Sequence, residues 1–182
     1  MTETSGSGDR WYRPGWSGAR RRSSGVTMVE LLFAVAILGI TLAFAVPSYR
    51  DAALNSKLNA VATSLHASVT VARSEAIKAN RATTLCASSD GATCTGTWTD
   101  GWVVLDADDV VIDSRPAPPQ GYKITQAGGV ADLTFQPIGV GLAAAATFTV
   151  CRNSPLGSQE RVVSVTATGM AHVTRTETGS CP

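Results

Sequence analysis

Glu30 is the single full charge in the apolar stretch Val26–Val46. A carboxylate at that depth costs about 2.5–3.5 kcal/mol on insertion scales, so the residue calls for a cationic partner. Four cysteines, Cys86, Cys94, Cys151 and Cys181, all lie beyond the stretch. An even number of thiols outside the cytoplasm favours disulfides, and three connectivities are open. Proximity favours Cys86–Cys94 across a short Gly/Thr/Asp-rich loop, which leaves Cys151–Cys181 to tie the last residues to a core strand. A thiolate metal site is the rival reading, but there is no C-x-x-C, and His172 is the only nearby imidazole. Asp106, Asp108, Asp109 and Asp113 suggest calcium. An EF-hand would need a ligand at Val110 and glycine at Val111, so the spacing fails and a solvated hairpin tip is expected instead. His66 and His172 have no adjacent nucleophile, and G-x-x-x-x-G-K-[ST], H-E-x-x-H and G-x-S-x-G are all missing. We expect no catalytic residue, no cofactor and no metal.

The elements that would position these residues begin with the apolar stretch itself. About 20 residues at ~1.5 Å rise per residue suffice to cross a ~30 Å hydrocarbon core. Arg10, Arg13 and Arg20-Arg21-Arg22 precede it against only Glu3 and Asp9, a balance that keeps the leading segment cytoplasmic and sends the rest outward. A secretory signal would be shorter and cut after its apolar region. Pro47 lacks an amide hydrogen and should break or loosen the helix at the membrane surface. Beyond it, Leu54, Leu58, Val61, Leu65, Val69, Ala72 and Ala76 recur at helical spacing on one face, as expected of a helix packed on a sheet. The helix should end near Asn80. Short β-like runs follow at Thr84–Cys86, Trp102–Leu105, Val110–Ile112, Tyr122–Thr125, Leu133–Phe135, Thr147–Val150, Arg161–Val165 and Ala171–Thr174. The alanines 143–146 read as a loop entering a strand. The whole chain has a net charge of +1. Without the five arginines and two acids of residues 1–25 the remainder carries −2, so no global positive field recruits nucleic acid.

The sequence Gly25-Val26-Thr27-Met28-Val29-Glu30, placed between the basic segment and the apolar run, resembles the N-terminus of type IV pilins and type II secretion pseudopilins. Val26 stands where that family most often has Phe. The stretch Ala72-Arg73-Ser74-Glu75-Ala76-Ile77-Lys78, followed by Thr84-Leu85-Cys86, looks like the GspH/FimT branch of minor pilins and pseudopilins. The resemblance implies an α+β, type IV pilin-like fold, in which a long N-terminal helix packs on an antiparallel β-sheet domain. It divides the chain into a cleaved basic leader (1–25), a transmembrane helix (26–46), an amphipathic continuation (47–80) and a β-rich periplasmic domain (81–182). A prepilin peptidase would cut after Gly25 and methylate the new amine of Val26. Glu30 would then meet the Val26 amine of a neighbouring subunit, or else neutralise its own amine or cap its own helix.

The implied function is structural. One reading is a FimT-like minor pilin assembled into, or priming, a type IV pilus. The other is a GspH-type pseudopilin of type II secretion. Implied partners are the peptidase, other pilins or pseudopilins through the N-terminal helix, and the inner-membrane assembly platform. The chain would sit in the inner membrane with its C-terminal domain in the periplasm. Some FimT-type pilins bind DNA through a Gly-Arg-x-Arg element. Here the matching stretch is Gly169-Met170-Ala171-His172, which leaves only Arg175, Arg161 and Arg152 as candidate contacts. So few cations would give weak, salt-sensitive binding.

Overall fold

The computed structural model describes residues 25–137, 145–179 and 181. The leader up to residue 24 therefore lies outside the described residues, as do Ala143 and Ala144. The chain divides into two compact units, Met1–Phe44 and Ala45–Pro182.

Helix α1 spans Met28–Ala79. Thr27 caps it: its Oγ1 accepts the Glu30 amide at 3.2 Å and its carbonyl accepts the Leu31 amide at 3.1 Å. The hydroxyl contact satisfies one of the four amides that a helix start leaves without intrahelical partners, and the carbonyl contact is the first rung of the helical ladder. In the first unit the large apolar side chains lie exposed all round, among them Leu32, Phe33, Ile37, Ile40 and Phe44. That distribution suits hydrocarbon rather than a one-sided core, and the helix is long and apolar enough to cross a membrane. The break expected at Pro47 is corrected: α1 continues through it without interruption. One missing amide removes one rung of the ladder, and the flanking i→i−4 bonds carry the helix on. The helix stops after Ala79 as expected. Asn80 adopts φ 52°, and the Arg81 amide reaches back to the Ala76 carbonyl at 3.3 Å, closing a Schellman-type cap.

In the second unit the stripe Leu58, Val61, Leu65, Val69, Ala72 and Ala76 is buried, and Leu54 at its start is half-buried. The antiparallel β-sheet domain is present as expected, and its eight strands form two sheets. The strands are β1 (Thr83–Ala87), β2 (Gly101–Leu105), β3 (Val111–Pro116), β4 (Tyr122–Gln126), β5 (Asp132–Phe135), β6 (Ala146–Arg152), β7 (Glu160–Val165) and β8 (Ala171–Thr176). The first sheet runs β3-β2-β1-β5 and the second β4-β6-β7-β8. Pro116 ends β3, and Pro118 and Pro119 supply no amide donors, so the chain cannot add its next strand beside β3. β4 instead pairs with β6, and β5 returns to β1.

One core joins the helix stripe to Leu85, Trp102, Leu133 and Phe135 of the first sheet and Ile124, Phe148, Val150 and Val163 of the second. Phe148 is fully buried and meets Trp98 edge-on at 4.7 Å between ring centroids. Burying such a side chain contributes about 1.5–3 kcal/mol. Trp98 donates to the Val130 carbonyl at 3.0 Å, and the neighbouring Thr99 hydroxyl both donates to the Ile124 carbonyl and accepts the Ile124 amide, each at 3.0 Å. The loop that leaves β1 thus fastens itself to the edge of the second sheet.

A polar chain also crosses from helix to sheet. Buried Trp102 donates its indole N–H to Ser68 Oγ at 3.0 Å, Ser68 donates to Asp113 Oδ2 at 2.9 Å, and Arg115 Nε donates to that same oxygen at 3.1 Å. Ser68 is fully buried. Ser68→Ala should cost about 1–3 kcal/mol, because it leaves the indole donor without an acceptor away from water. The expected readout is a lower urea midpoint at unchanged slope. A wild-type midpoint would show that the indole finds another acceptor.

Candidate functional site

Glu30 occupies the third position of α1 and is exposed, with its backbone amide held by Thr27. Its carboxylate lies where the helix N-terminus carries partial positive charge, which favours an acid in the first turn. Val26, four residues upstream, is 68% exposed and precedes the helix. Nothing lies within 4 Å of a Cβ built on Gly25, so no packing contact demands glycine there. The site is a stretch of accessible backbone leading into an apolar helix with one acid in its first turn. Thr27 is the contributor that the sequence reading passed over. The pattern Thr-x-x-Glu ahead of an apolar run is the signal that marks it.

The second unit is stapled twice. Cys86 is bonded to Cys94 and Cys151 to Cys181, each with Cα atoms 5.4 Å apart. Within the first loop the Asp90 carboxylate accepts the Ala92 and Thr93 amides and the Ser88 and Thr93 hydroxyls. These donors, led by the Thr93 hydroxyl, hold its pKa far below the usual carboxylate range. The second staple pins the C-terminal tail over the outer face of β6 and β7. There Glu160, 1% exposed, accepts the Thr176 hydroxyl at 3.1 Å and the Thr178 amide at 2.9 Å. Burial pushes the Glu160 carboxyl up, but donors from Thr178, Thr176 and Gly179 outweigh it and hold it below the ordinary glutamate value. Sequence reading missed Glu160, because a glutamate at a strand start looks like a surface charge.

The direction of that shift sets a pH dependence. A depressed folded pKa adds stability that is fully present above the unfolded value, about 4.3, and is lost as pH falls through the folded one. The protection factors of the 176–179 amides, taken against intrinsic exchange at each pH, should therefore fall below about pH 4.5, and Glu160→Gln should flatten the dependence. Identical pH profiles for the variant and the wild type would remove Glu160 as the anchor.

Three of the four aspartates, Asp106, Asp108 and Asp113, are engaged internally. Asp106 accepts the Asp108 and Val110 amides at 2.8 Å, and Asp108 pairs bidentately with Arg81 at 2.5 and 2.6 Å. Asp113 belongs to the Ser68 chain already described. The hairpin expected at 106–109 is present, with Asp109 at φ 60°. Among the described residues no three His, Cys, Asp or Glu side chains gather as a metal site. His66 is half-buried and His172 exposed.

Of the three arginines proposed to contact DNA, Arg152 is buried at 8% exposure, which corrects its assignment as a surface contact. It closes β6 under Gly157, where a Cβ would come within 3.1 Å of its Nε. Arg161 and Arg175 face each other across β7 and β8. Arg175 also pairs with Glu177.

Residues 61–169 match the family described as Type II transport protein GspH, and residues 20–46 match the Prokaryotic N-terminal methylation motif. No curated protein matches the chain. The fold is similar to that of the type IV minor pilin FimU of Pseudomonas aeruginosa, at 23% identity and a TM-score of 0.53, covering 70% of this chain and 94% of that one. It is also similar to the minor pseudopilin EpsH of the Vibrio cholerae type 2 secretion system, at 13% identity and a TM-score of 0.51, covering 65% and 96%. Matched over more than half its length and carrying the pilin-like fold of those two structures, the chain belongs to the GspH family of type II transport proteins.

Proposed function

We propose that this chain is a minor subunit of a type IV filament, cut after Gly25 by a prepilin peptidase and methylated on Val26. Residues 26–46 hold it in the inner membrane and residues 81–182 form its periplasmic domain until assembly. The observation that carries this reading is the methylation-type segment feeding a helix whose apolar side chains are uncovered. Lipid covers them first and other pilin helices afterwards, through the assembly platform. Glu30 meets the Val26 amine of an adjacent subunit, and burying the two charges together offsets a penalty that either would suffer alone.

The first reading is a FimT-like role in priming or entering a pilus. The second, a GspH-type pseudopilin of type II secretion, is favoured by the family description and by the likeness to EpsH. DNA binding is a lesser reading, because Arg152 is buried and Arg175 shares its charge with Glu177. A deletion strain scored in parallel for pilus-dependent motility, exoprotein secretion and DNA uptake separates the three. Loss of motility alone supports the pilus, and loss of secretion alone supports the secretion system. A strain normal in all three would refute the proposal.

A further inference from the structure

Beyond Pro116, Pro118 and Pro119 carry no amide donor, so the chain leaves the sheet edge and runs beside α1. Ala60, Ser64 and Ala117 are too small to fill the space between, and a groove of about 270 Å³ stays open. Val61 and buried Trp102 line it together with the prolines, so its walls are largely apolar. Two cations line it as well, Lys57 and Arg115, and no acid does. Lys57 is exposed and makes no ion pair among the described residues. Arg115 gives only its Nε to Asp113, an acid that is shared with Ser68.

The opposite end of β3 carries the complement. In the β2–β3 turn Asp106 and Asp108 are used within the fold, but the Asp109 side chain is exposed and has no partner among the described residues. Val110 beside it is 58% exposed. An apolar side chain next to a free carboxylate matches a largely apolar groove that holds two cations. The tip cannot fill its own groove. Val110 lies just before β3 and Arg115 near its end, about 17 Å apart at ~3.4 Å per residue.

We infer that a second copy of this chain seats its Asp109–Val110 tip in this groove, with the carboxylate between Lys57 and Arg115 and the Val110 side chain against Val61 and Trp102. The direction of the strand decides the symmetry. Asp108 of the tip pairs with Arg81 past the end of α1, whereas the groove lies on Lys57, Val61 and Ser64, so β3 runs back along the helix. A two-fold axis pairing β3 with its copy would turn the second helix the opposite way. A shift along α1 keeps both helices parallel, as subunits of one polar filament must be, and the contact rests on that filament reading. Such a contact is heterologous, so a pair of copies leaves one tip and one groove open to further copies. One side chain and one carboxylate bury little surface. The contact is therefore weak between free chains and gains from the high effective concentration of neighbours held in one membrane.

The test uses the full chain in cells that carry two differently tagged copies, one with the photo-crosslinker p-benzoylphenylalanine in place of Val110. Irradiation should join the two tags, and mass spectrometry should map the link to residues 57–64 or 115–119 of the other copy. Lys57→Glu in that other copy sets an acid against Asp109 and should lower the yield about tenfold, whereas Lys57→Arg should preserve it. Lys57 is exposed, so neither change disturbs the core. Asp109→Asn removes the charge with a residue that also tolerates φ > 0, and should lower the yield about threefold. The same crosslinker at exposed Thr174 on β8 should give no such link, and an equal yield from both positions would overturn the contact as mere crowding. Links from position 110 to another protein only would overturn the second copy as occupant. Removal of residues 1–25 and presence in sheared filaments are measured on the same cells. A chain that is cut and incorporated but gives no tip-to-groove link would overturn this contact alone. A chain neither cut nor incorporated would overturn the filament reading and this contact with it.

Discussion

Glu30→Ala is expected to leave cleavage after Gly25 intact and to reduce incorporation into filaments by about two to four orders of magnitude. The size follows from leaving the methylated Val26 amine of a neighbour buried without its counter-ion, a loss of about 3–5 kcal/mol for breaking a buried pair. Processing should survive because Thr27 caps the helix independently of the Glu30 side chain, accepting the residue-30 amide through its own hydroxyl. The check is paired: mass spectrometry of the membrane pool for removal of residues 1–25, and quantification of the variant in sheared filaments. Thr27→Ala is the informative companion. It removes the cap, worth about 0.5–2 kcal/mol, and should weaken the first turn without abolishing assembly. Wild-type incorporation of the Glu30 variant would sink the proposed pairing.

Removing the Cys151–Cys181 bond should cost about 3–4 kcal/mol, from the loop entropy released over a separation of 30 residues. The Cys86–Cys94 bond closes only 8 residues and should be worth about 1 kcal/mol less. The larger loss has a local consequence. With Cys181 free, the tail is left on the sheet by hydrogen bonds such as those that Glu160 accepts from Thr176 and Thr178. Peeling it off would uncover a buried carboxylate. Cys181→Ser should therefore lower the denaturation midpoint more than Cys94→Ser, and should open the segment 177–181 to carboxypeptidase at neutral pH. Equal midpoints for the two variants would show that the tail is held by something other than this bond.

Much of the architecture was readable from residue order alone, for identifiable reasons. Glu30 stands out because a charge within twenty apolar residues is costly in any fold. The helix stripe from Leu58 to Ala76 was legible because a 3.6-residue period declares its buried face. The stop at Asn80 followed from a residue that tolerates φ > 0, and the hairpin at 106–109 from turn-forming aspartates between two β-branched runs. Both cysteine pairings agree with sequence proximity.

What escaped the sequence depended on partners distant along the chain. Strand pairing is one case: nothing local tells β5 to return to β1, or β4 to wait for β6. Only the tertiary structure divides these strands into two sheets. The fate of polar side chains is another. Arg152, Arg161 and Arg175 look equivalent in sequence, but the fold buries the first, half-buries the second and leaves the third exposed. Ser68, Thr99 and Glu160 gain their roles from groups 34, 25 and 16 or 18 residues away. Local chemistry thus determined the processing segment, the apolar helix and the element types, because each depends on neighbours within a turn or two. Sheet order, the anchoring of the tail and the burial of Arg152 were decided by the fold, because they arise only when residues far apart in sequence are brought together.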